Sequence, residues 1–450
     1  MLDFPKGFLW GTSTSAYQIE GAVREDGRGE SIWDRFAHTA GRVRDNTNGD
    51  LACDHYHRFA DDVRLMREVG YNAYRFSIAW PRIIPEGRGQ VNTKGLDFYS
   101  HLTDELLENH ITPNVTLYHW DLPQALGGWE RRATAEAFAE YVDVVTRHLG
   151  DRVKIWATLN EPWCSSILGY QKGEHAPGVK DPVLALQVAH HLLLAHGLAL
   201  PIIRANCPDA EAGVVLNVLP TYPITDSEAD LNAVRFHDGY FNRWYLDPLF
   251  GRSYPADMLA DYTRMGWLES EHPAYIRTGD LQTIAAPLDF LGLNYYSRAV
   301  VGAVPGRETE PGLIQFGQSP RASQTDMGWE VYPEGLYKLL TETYRDYKPA
   351  RIHISENGAA YSDAADGSGA IHDTRRVEYL AAHLNAAHRA IQAGVPLTGY
   401  FVWSLMDNFE WANGYSKRFG LFEVDYATQT RTPRDSAHWY GDVARRNGLV

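Results

Sequence analysis

The sequence predicts a single (β/α)8 TIM barrel over residues 1–450, with long loops after its strands. Short runs of β-branched and aromatic residues alternate with helical patterns along the whole chain of 450 residues. No composition shift and no Pro/Gly/Ser-rich linker divides it. A doubly wound sheet would carry a glycine-rich phosphate-binding turn after its first strand, and the segment 12–21 has none. The barrel is therefore the better interpretation.

Eight strands are predicted, and the gaps between them carry helical periodicity. The predicted strands span residues 8–16, 73–78, 112–118, 154–159, 212–217, 288–294, 351–355 and 398–403. Clear apolar stripes predict helices over 56–69, 336–344 and 377–391, the first ending at Gly70. The longest apolar stretch, 184–203, is interrupted by three histidines and Pro201. We interpret it as a buried amphipathic helix, too short and too polar to cross a bilayer.

Composition and charge exclude several partners. The chain carries 42 basic and 57 acidic residues, a net charge of −15, and its basic residues do not cluster. This balance disfavours nucleic acids and anionic membranes. The three cysteines are too far apart for a disulfide framework or a zinc site, and the N-terminus lacks a signal-peptide core. We therefore expect a cytoplasmic protein with no cofactor and no metal; the oligomeric state stays open.

Polar side chains and indoles gather where the predicted strands end, which is where the active site of a barrel lies. Two carboxylates stand out among them. Glu161 ends the fourth strand and Glu356 ends the seventh, so only closure of the barrel could bring them together. Cleavage of a glycosidic bond requires such a pair, about 5–5.5 Å apart when the anomeric configuration is retained. Each Glu alone would more often be a structural ion pair, but the pair in this setting favours catalysis.

Four motifs in order resemble the family 1 glycoside hydrolases, the β-glucosidase family. The resemblance runs nearly from end to end. Its motifs are Phe8–Gly11 continuing to Gln18–Gly21, Thr158–Pro162, Ile354–Gly358 and Trp403–Trp411. The family implies a retaining β-glycosidase that hydrolyses terminal β-D-glucosyl residues through a covalent glycosyl-enzyme, with galactosidase and fucosidase side activity. The implied substrates are small β-glycosides or oligosaccharides.

The resemblance assigns roles residue by residue. Glu161 becomes the general acid/base and Glu356 the nucleophile, with Arg75 able to keep Glu356 ionised. Tyr296 and Asn294 complete the catalytic set. The predicted sugar contacts are Gln18, His119, Trp120, Asn160, Trp403, Glu410, Trp411 and Phe419. On the leaving-group side the candidates are Trp163, Asn217 and Trp329.

Alternatives remain at this point. The pair His55 and His57 has the form of a metal site but sits at the start of a helix, not at a strand end. A glycan-binding barrel without catalysis would keep the aromatic residues and lose a carboxylate, and transfer to acceptors other than water would share the same intermediate. A 6-phosphoglycosidase is disfavoured because a negative Glu410 would repel a phosphate. Glucoside and galactoside preferences are not separated by the sequence.

Overall fold

Eight parallel strands close into a barrel in the computed structural model, which describes residues 2–318 and 320–449. Each strand pairs with the next along the chain, and the last pairs with the first. The strands are β1 (Leu9–Ser13), β2 (Ala73–Ser77), β3 (Thr112–Tyr118), β4 (Ile155–Asn160), β5 (Glu211–Asn217), β6 (Phe290–Asn294), β7 (Ile352–Asn357) and β8 (Leu397–Trp403). The predicted fold class and all eight strands are confirmed, with ends that shift by a few residues.

Helices follow the strands and form the outer layer. The three apolar stripes are confirmed as helices, and Gly70 ends the first of them with φ of 96°, a conformation that favours glycine. The α-helices are Ala16–Ile19, Ile32–Ala37, His55–Val69, Trp80–Ile83, Thr93–Glu108, Arg132–Leu149, Pro182–Asn206, Glu228–Asp238, Trp244–Leu249, Ala256–Arg264, Asp280–Ile284, Pro333–Tyr347, Thr374–Gln392 and Asp435–Arg446. Cys164–Lys172 and Gly239–Arg243 are π-helical, and single 3-10 turns lie at Arg44–Asn46, Gln124–Leu126, Arg321–Ser323 and Trp411–Asn413.

The interior of the barrel changes character along its axis. Ile155 and Phe290, the first residues of β4 and β6, belong to a small apolar cluster that fills the amino-terminal half. The last residues of the same strands are Asn160 and Asn294, which are buried and polar. The strands thus deliver apolar packing at one end of the barrel and hydrogen-bonding groups at the other, as this fold does in enzymes.

The loops after β5 and β6 build a small sheet of their own. Ala299–Ala303 pairs antiparallel with Ile314–Phe316 and parallel with Thr221–Pro223. The sequence did not predict this sheet, because its strands are short and lack a clear alternation. Two further short antiparallel pairs join Leu2–Asp3 with Gly448–Leu449 and Phe422–Asp425 with Thr430–Pro433. The long loops predicted after the strands are confirmed.

The helix Pro182–Asn206 differs from its prediction. It has 25 residues, and by length and mean hydropathy of 1.6 it could cross a membrane, so its description as too short and too polar was wrong. It is also not amphipathic, because its own apolar residues occupy all of its faces. In its most apolar window, 78% of the residues are buried. Its histidines find partners inside the protein: His190 bonds Asp280 and His191 bonds the carbonyl of Trp129. Burial, as predicted, is what the structure shows.

Candidate active site

One cleft at the carboxyl ends of the strands gathers nearly all of the predicted site residues. Its volume is about 470 Å³. Only Arg75 and Gln18, of the predicted set, lie behind its wall. The predicted residues that line it are His119, Trp120, Asn160, Glu161, Trp163, Asn217, Asn294, Tyr296, Trp329, Glu356, Trp403, Glu410, Trp411 and Phe419. Barrel closure therefore brings residues from distant parts of the sequence into one site.

Local backbone geometry presents the two carboxylates. Glu161 directly follows β4 and has φ of 48°, in the left-handed region that a glutamate rarely adopts. Glu356 lies within β7, opposite Asn294 of β6. The chain then turns at Gly358, where a Cβ would lie 1.8 Å from the carbonyl oxygen of Trp403. Only glycine fits there, which explains why the residue two positions after Glu356 lacks a side chain.

Glu356 is held as an anion by two strong donors. Arg75 donates from Nη1 to its Oε1 at 2.6 Å, and Tyr296 donates from Oη to its Oε2 at 2.6 Å. Burial raises the pKa of Glu356 above its ordinary value, while the charge of Arg75 and the bond from Tyr296 oppose that rise. Each oxygen of the carboxylate is thus fixed in place by a donor.

Glu161 lies in a less compensated environment. Asn294 donates from Nδ2 to its Oε1 at 2.7 Å, and the thiol of Cys164 donates to its Oε2 at 3.0 Å. No cation bonds it directly in the described residues. Burial and the negative charge of Glu356 raise the pKa of Glu161 to about 7. The carboxylate form of Glu161 is therefore stabilised less than that of Glu356, because only Glu356 bonds a cation.

Cys164 is a contact that sequence reasoning missed. It lies three residues after Glu161, where the chain enters a helical segment, and that spacing places the two side chains together. Burial raises the pKa of its thiol, so it acts as a donor and not as a thiolate. The i, i+3 spacing was the available signal, but a cysteine beside a carboxylate has no established sequence pattern.

The network around Asn160 determines the state of His119. Asn160 accepts from Arg75 through Oδ1 at 2.7 Å and from Asn294 at 3.1 Å, so its Nδ2 must face the His119 Nε2 at 3.0 Å. His119 then accepts at Nε2 and carries its proton on Nδ1. Burial and Arg75 lower the pKa of His119 well below its ordinary value. Its Nδ1 is buried without a protein partner and is available to a sugar hydroxyl.

Aromatic rings surround this polar centre. Trp403 and Trp411 both stack near His119, with ring centroids 5.8 and 5.9 Å away. Trp120 packs on Trp411 at 4.5 Å and donates its indole N–H to the carbonyl of Asn160 at 2.9 Å. Trp120 therefore positions Asn160. Phe419 packs with Trp403 in one apolar cluster. The apolar faces of a pyranose ring can rest on such a wall.

Glu410 lines the cleft, Gln18 bonds the two residues that precede it, and the sugar contacts expected of both stay predictions. Burial and the charge of Glu356 raise the pKa of Glu410 to about 8, so this carboxyl holds its proton more tightly than an exposed glutamate does. Its Oε2 has no partner and is free to bind a hydroxyl. The amide of Gln18 donates to Asn408 and to the carbonyl of Phe409, at 3.0 and 2.9 Å, and is completely buried. Gln18 thus supports the segment that carries Glu410.

The three leaving-group candidates all line the cleft. The indole N–H of Trp163 and the side-chain oxygen of Asn217 are both buried without a hydrogen-bond partner. The amide nitrogen of Asn217 points to Cys164, at 3.5 Å from Sγ. Trp329 packs on Tyr296 with ring centroids 5.3 Å apart. These positions are suited to contacts with the group that leaves.

The histidines considered as metal ligands are engaged elsewhere. His55 bonds Asp62 at 2.8 Å, and His57 bonds Asp54 at 2.6 Å and Glu25 at 3.1 Å. Within residues 2–318 and 320–449, no group of three or more histidine, cysteine or acidic side chains could hold a metal ion. The two histidines serve the start of the helix His55–Val69.

Comparison with known proteins identifies the family. The model of glycosyl hydrolase family 1 matches residues 2–449. The chain belongs to glycosyl hydrolase family 1. Beta-glucosidase A of Acetivibrio thermocellus is 49% identical to it, over 100% of this chain and 99% of that protein. The family assignment thus rests on almost every residue of the chain.

Two further family 1 relatives bear on specificity. A bifunctional beta-D-glucosidase/beta-D-fucosidase of Bifidobacterium breve is 46% identical, over 97% of each chain. The structure of the beta-glucosidase from Thermotoga maritima in complex with glucoimidazole matches with a TM-score of 0.95 at 47% identity, over 100% of both chains. The barrel observed here is therefore the barrel of a family 1 enzyme.

Proposed function

We propose that this protein is a retaining β-glycosidase that hydrolyses terminal β-D-glucosyl residues, with β-fucoside and β-galactoside side activity. The observation that carries the proposal is the unequal environment of two neighbouring carboxylates. Glu356 bonds a cation and a phenol, whereas Glu161 bonds an amide and a thiol and has a pKa of about 7. These unequal environments assign Glu356 as the nucleophile and Glu161 as the acid.

In the first half of the reaction, an oxygen of Glu356 attacks the anomeric carbon and the bond to the leaving oxygen breaks. Glu161 gives its proton to that oxygen, so the leaving group departs as an alcohol. Formation of the ester removes the negative charge of Glu356. One of the causes that raise the pKa of Glu161 then disappears.

In the second half, Glu161 acts as a base. It takes a proton from water, the water oxygen attacks the anomeric carbon from the opposite face, and Glu356 leaves as a carboxylate. The two inversions give net retention. Arg75 and Tyr296 are already placed to receive the restored charge, because each bonds one oxygen of Glu356 in the free protein.

The glycone is proposed to be glucose. The names of the relatives support a β-glucoside, and the bifunctional relative supports acceptance of a β-fucoside. Around the sugar, free hydrogen-bonding atoms remain on His119 and Glu410. We also propose a cytoplasmic location, supported by three buried cysteines that form no disulfide.

A panel of p-nitrophenyl glycosides tests the proposal. We expect the highest kcat/KM with the β-D-glucoside or β-D-fucoside, a lower value with the β-D-galactoside, and no measurable release from the α-D-glucoside. Absence of release from every β-glycoside between pH 5 and pH 8 would instead support a glycan-binding protein without catalysis.

A further inference from the structure

The side chain of Phe316 lines the cleft and is exposed to solvent. Phe316 is 63% exposed, the highest value among the large apolar side chains of the described residues. It ends the strand Ile314–Phe316 in the sheet after β6, paired with Val301. Phe316 lines the same cleft as Glu161 and Glu356. An exposed phenylalanine in a substrate cleft points to a binding surface.

Phe316 is the outer end of a row of four rings, which we call the aromatic strip: Trp163, Phe241, His237 and Phe316. The inner end is Trp163, two residues after Glu161, and it packs on Phe241 with centroids 4.2 Å apart. Phe241 stacks on His237 at 5.7 Å with an 18° angle between planes. His237 meets Phe316 edge-on at 5.8 Å. The ring contacts thus run from the acid/base to the protein surface; Trp163, Phe241 and Phe316 line the cleft, and the buried His237 connects Phe241 with Phe316.

The strip is held in place before any ligand binds. His237 bonds the hydroxyl of Thr221 through Nδ1 at 2.9 Å, which ties it to the sheet that carries Phe316. Burial lowers the pKa of His237 to about 4, so the ring is neutral at physiological pH. Trp163 in turn lies under the amine of Lys172, 5.7 Å from the ring centroid. Little ordering is needed to bind a flat ring here.

The surroundings of the strip select for apolar faces. Leu219 and Val300 line the cleft beside it, and Arg298, the cation of this wall, is paired with Glu330 at 2.8 Å. Two buried polar atoms without a partner, Trp163 Nε1 and Asn217 Oδ1, lie at the inner end. A group bound to the inner end can therefore form hydrogen bonds, whereas a group farther out meets rings and aliphatic side chains.

We propose that the aromatic strip binds the second ring of an extended leaving group, beyond the ring that is bonded directly to the glucosyl unit. The ligand class is a flat ring with an apolar face, either the C–H face of a β-linked sugar or an aryl group. The inference rests on the proposed glycosidase function and adds that three-ring substrates gain an interaction that two-ring substrates lack.

Two pairs of substrates and three variants test this proposal. The pairs are cellobiose with cellotriose, and phenyl β-D-glucoside with 4-biphenylyl β-D-glucoside; the measured quantity is the ratio of kcat/KM, longer over shorter. We expect Phe316→Ala to lower the ratio in at least one pair by roughly 3- to 10-fold, the value of one aromatic contact. Phe316→Trp, which keeps a platform, should restore it. Leu231→Ala, an exposed apolar residue 51% accessible and outside the cleft, is the matched control.

Each result has one meaning. A fall confined to the cellotriose pair assigns the strip to sugars, and a fall confined to the biphenylyl pair assigns it to aryl groups. Equal ratios in Phe316→Ala and the unmodified enzyme overturn the proposal, and so does an equal fall in Leu231→Ala. An unmodified enzyme without activity on any of the four substrates would contradict the proposed function itself, which separates the two failures.

Discussion

The two ends of the cleft are built in opposite ways. At the inner end, side chains from β2, β4, β6 and β7 bond one another, and Arg75 joins Glu356 to Asn160. At the outer end, rings carried by loops and helices lie side by side, and Phe316 is mostly exposed. The inner end fixes the chemistry of one sugar, while the outer end can accept leaving groups of different shapes.

The largest effect should come from the inner end. We expect Glu356→Ala to lower turnover by several orders of magnitude, because no other group could form the covalent bond. Turnover is measured with p-nitrophenyl β-D-glucoside. Glu356→Gln is the control variant, because glutamine keeps the shape of the side chain beside the buried Arg75. The melting temperature of the Gln variant reports whether it folds. Unreduced turnover in the folded Gln variant would remove Glu356 from the nucleophile role.

The acid/base should give the next largest effect, and one that depends on the leaving group. Glu161→Gln should lower kcat for a methyl β-glucoside by about 10²- to 10⁴-fold, since that alcohol needs a proton as it leaves. A dinitrophenyl β-glucoside needs none, so its glycosylation step should change far less. Equal losses on both substrates in pre-steady-state measurements would contradict the assignment.

The pH profile distinguishes the two carboxylates in the unmodified enzyme. Glu161 must be protonated in the first step, so kcat/KM should fall as pH rises through about 7, the raised pKa of this group. Glu356 must be ionised, so kcat/KM should also fall at acid pH as that group takes up a proton. In Glu161→Gln the alkaline limb should vanish; an alkaline limb that persists near pH 7 would assign it to another group.

A smaller effect is expected at His119. Its Nδ1–H is buried without a protein partner and would bond a hydroxyl of the sugar. His119→Ala should lower kcat/KM by about 2- to 13-fold, which corresponds to one neutral hydrogen bond of about 0.5–1.5 kcal/mol. His119→Asn offers an amide donor as a control. A 2-deoxy glucoside tests whether His119 bonds the 2-hydroxyl of the sugar. If His119→Ala lowers kcat/KM for this substrate as much as for the glucoside, the bond goes to a different hydroxyl.

The smallest expected change concerns Cys164. Its thiol donates to Glu161 Oε2 and so favours the carboxylate form. Cys164→Ala should raise the pKa of Glu161 and move the alkaline limb of kcat/KM upward by about 0.5–1 pH unit. Cys164→Ser keeps a donor and should leave the limb near its original position. An Ala variant whose limb stays put or moves downward would show that the thiol does not act on Glu161.

The same comparison explains what the sequence could predict. The barrel strands carry long apolar runs, and their last residues are polar, so β4 and β7 could be located together with Glu161 and Glu356. The strands Ala299–Ala303 and Ile314–Phe316 have no such pattern, because they are short and lie between loops. The part of the cleft that these strands build, including Phe316, therefore could not be assembled from the sequence.

The sequence predicted the pairing of Arg75 with Glu356, but it did not reveal the raised pKa of Glu410 or the partners of Gln18. The charge of Glu410 depends on its burial beside Glu356, and a sequence pattern contains neither depth nor distance. The amide of Gln18 bonds Asn408 and the carbonyl of Phe409, partners that the sequence does not reveal, and its contact with sugar stays a prediction.

In the proposed mechanism, Glu356 attacks the sugar and Glu161 serves first as acid and then as base. The configuration of the first product tests it most directly. Proton NMR of the anomeric signals during the first turnovers of p-nitrophenyl β-D-glucoside should show β-D-glucose before mutarotation adds the α anomer. Initial formation of α-D-glucose would mean a single inversion by water and would contradict the account.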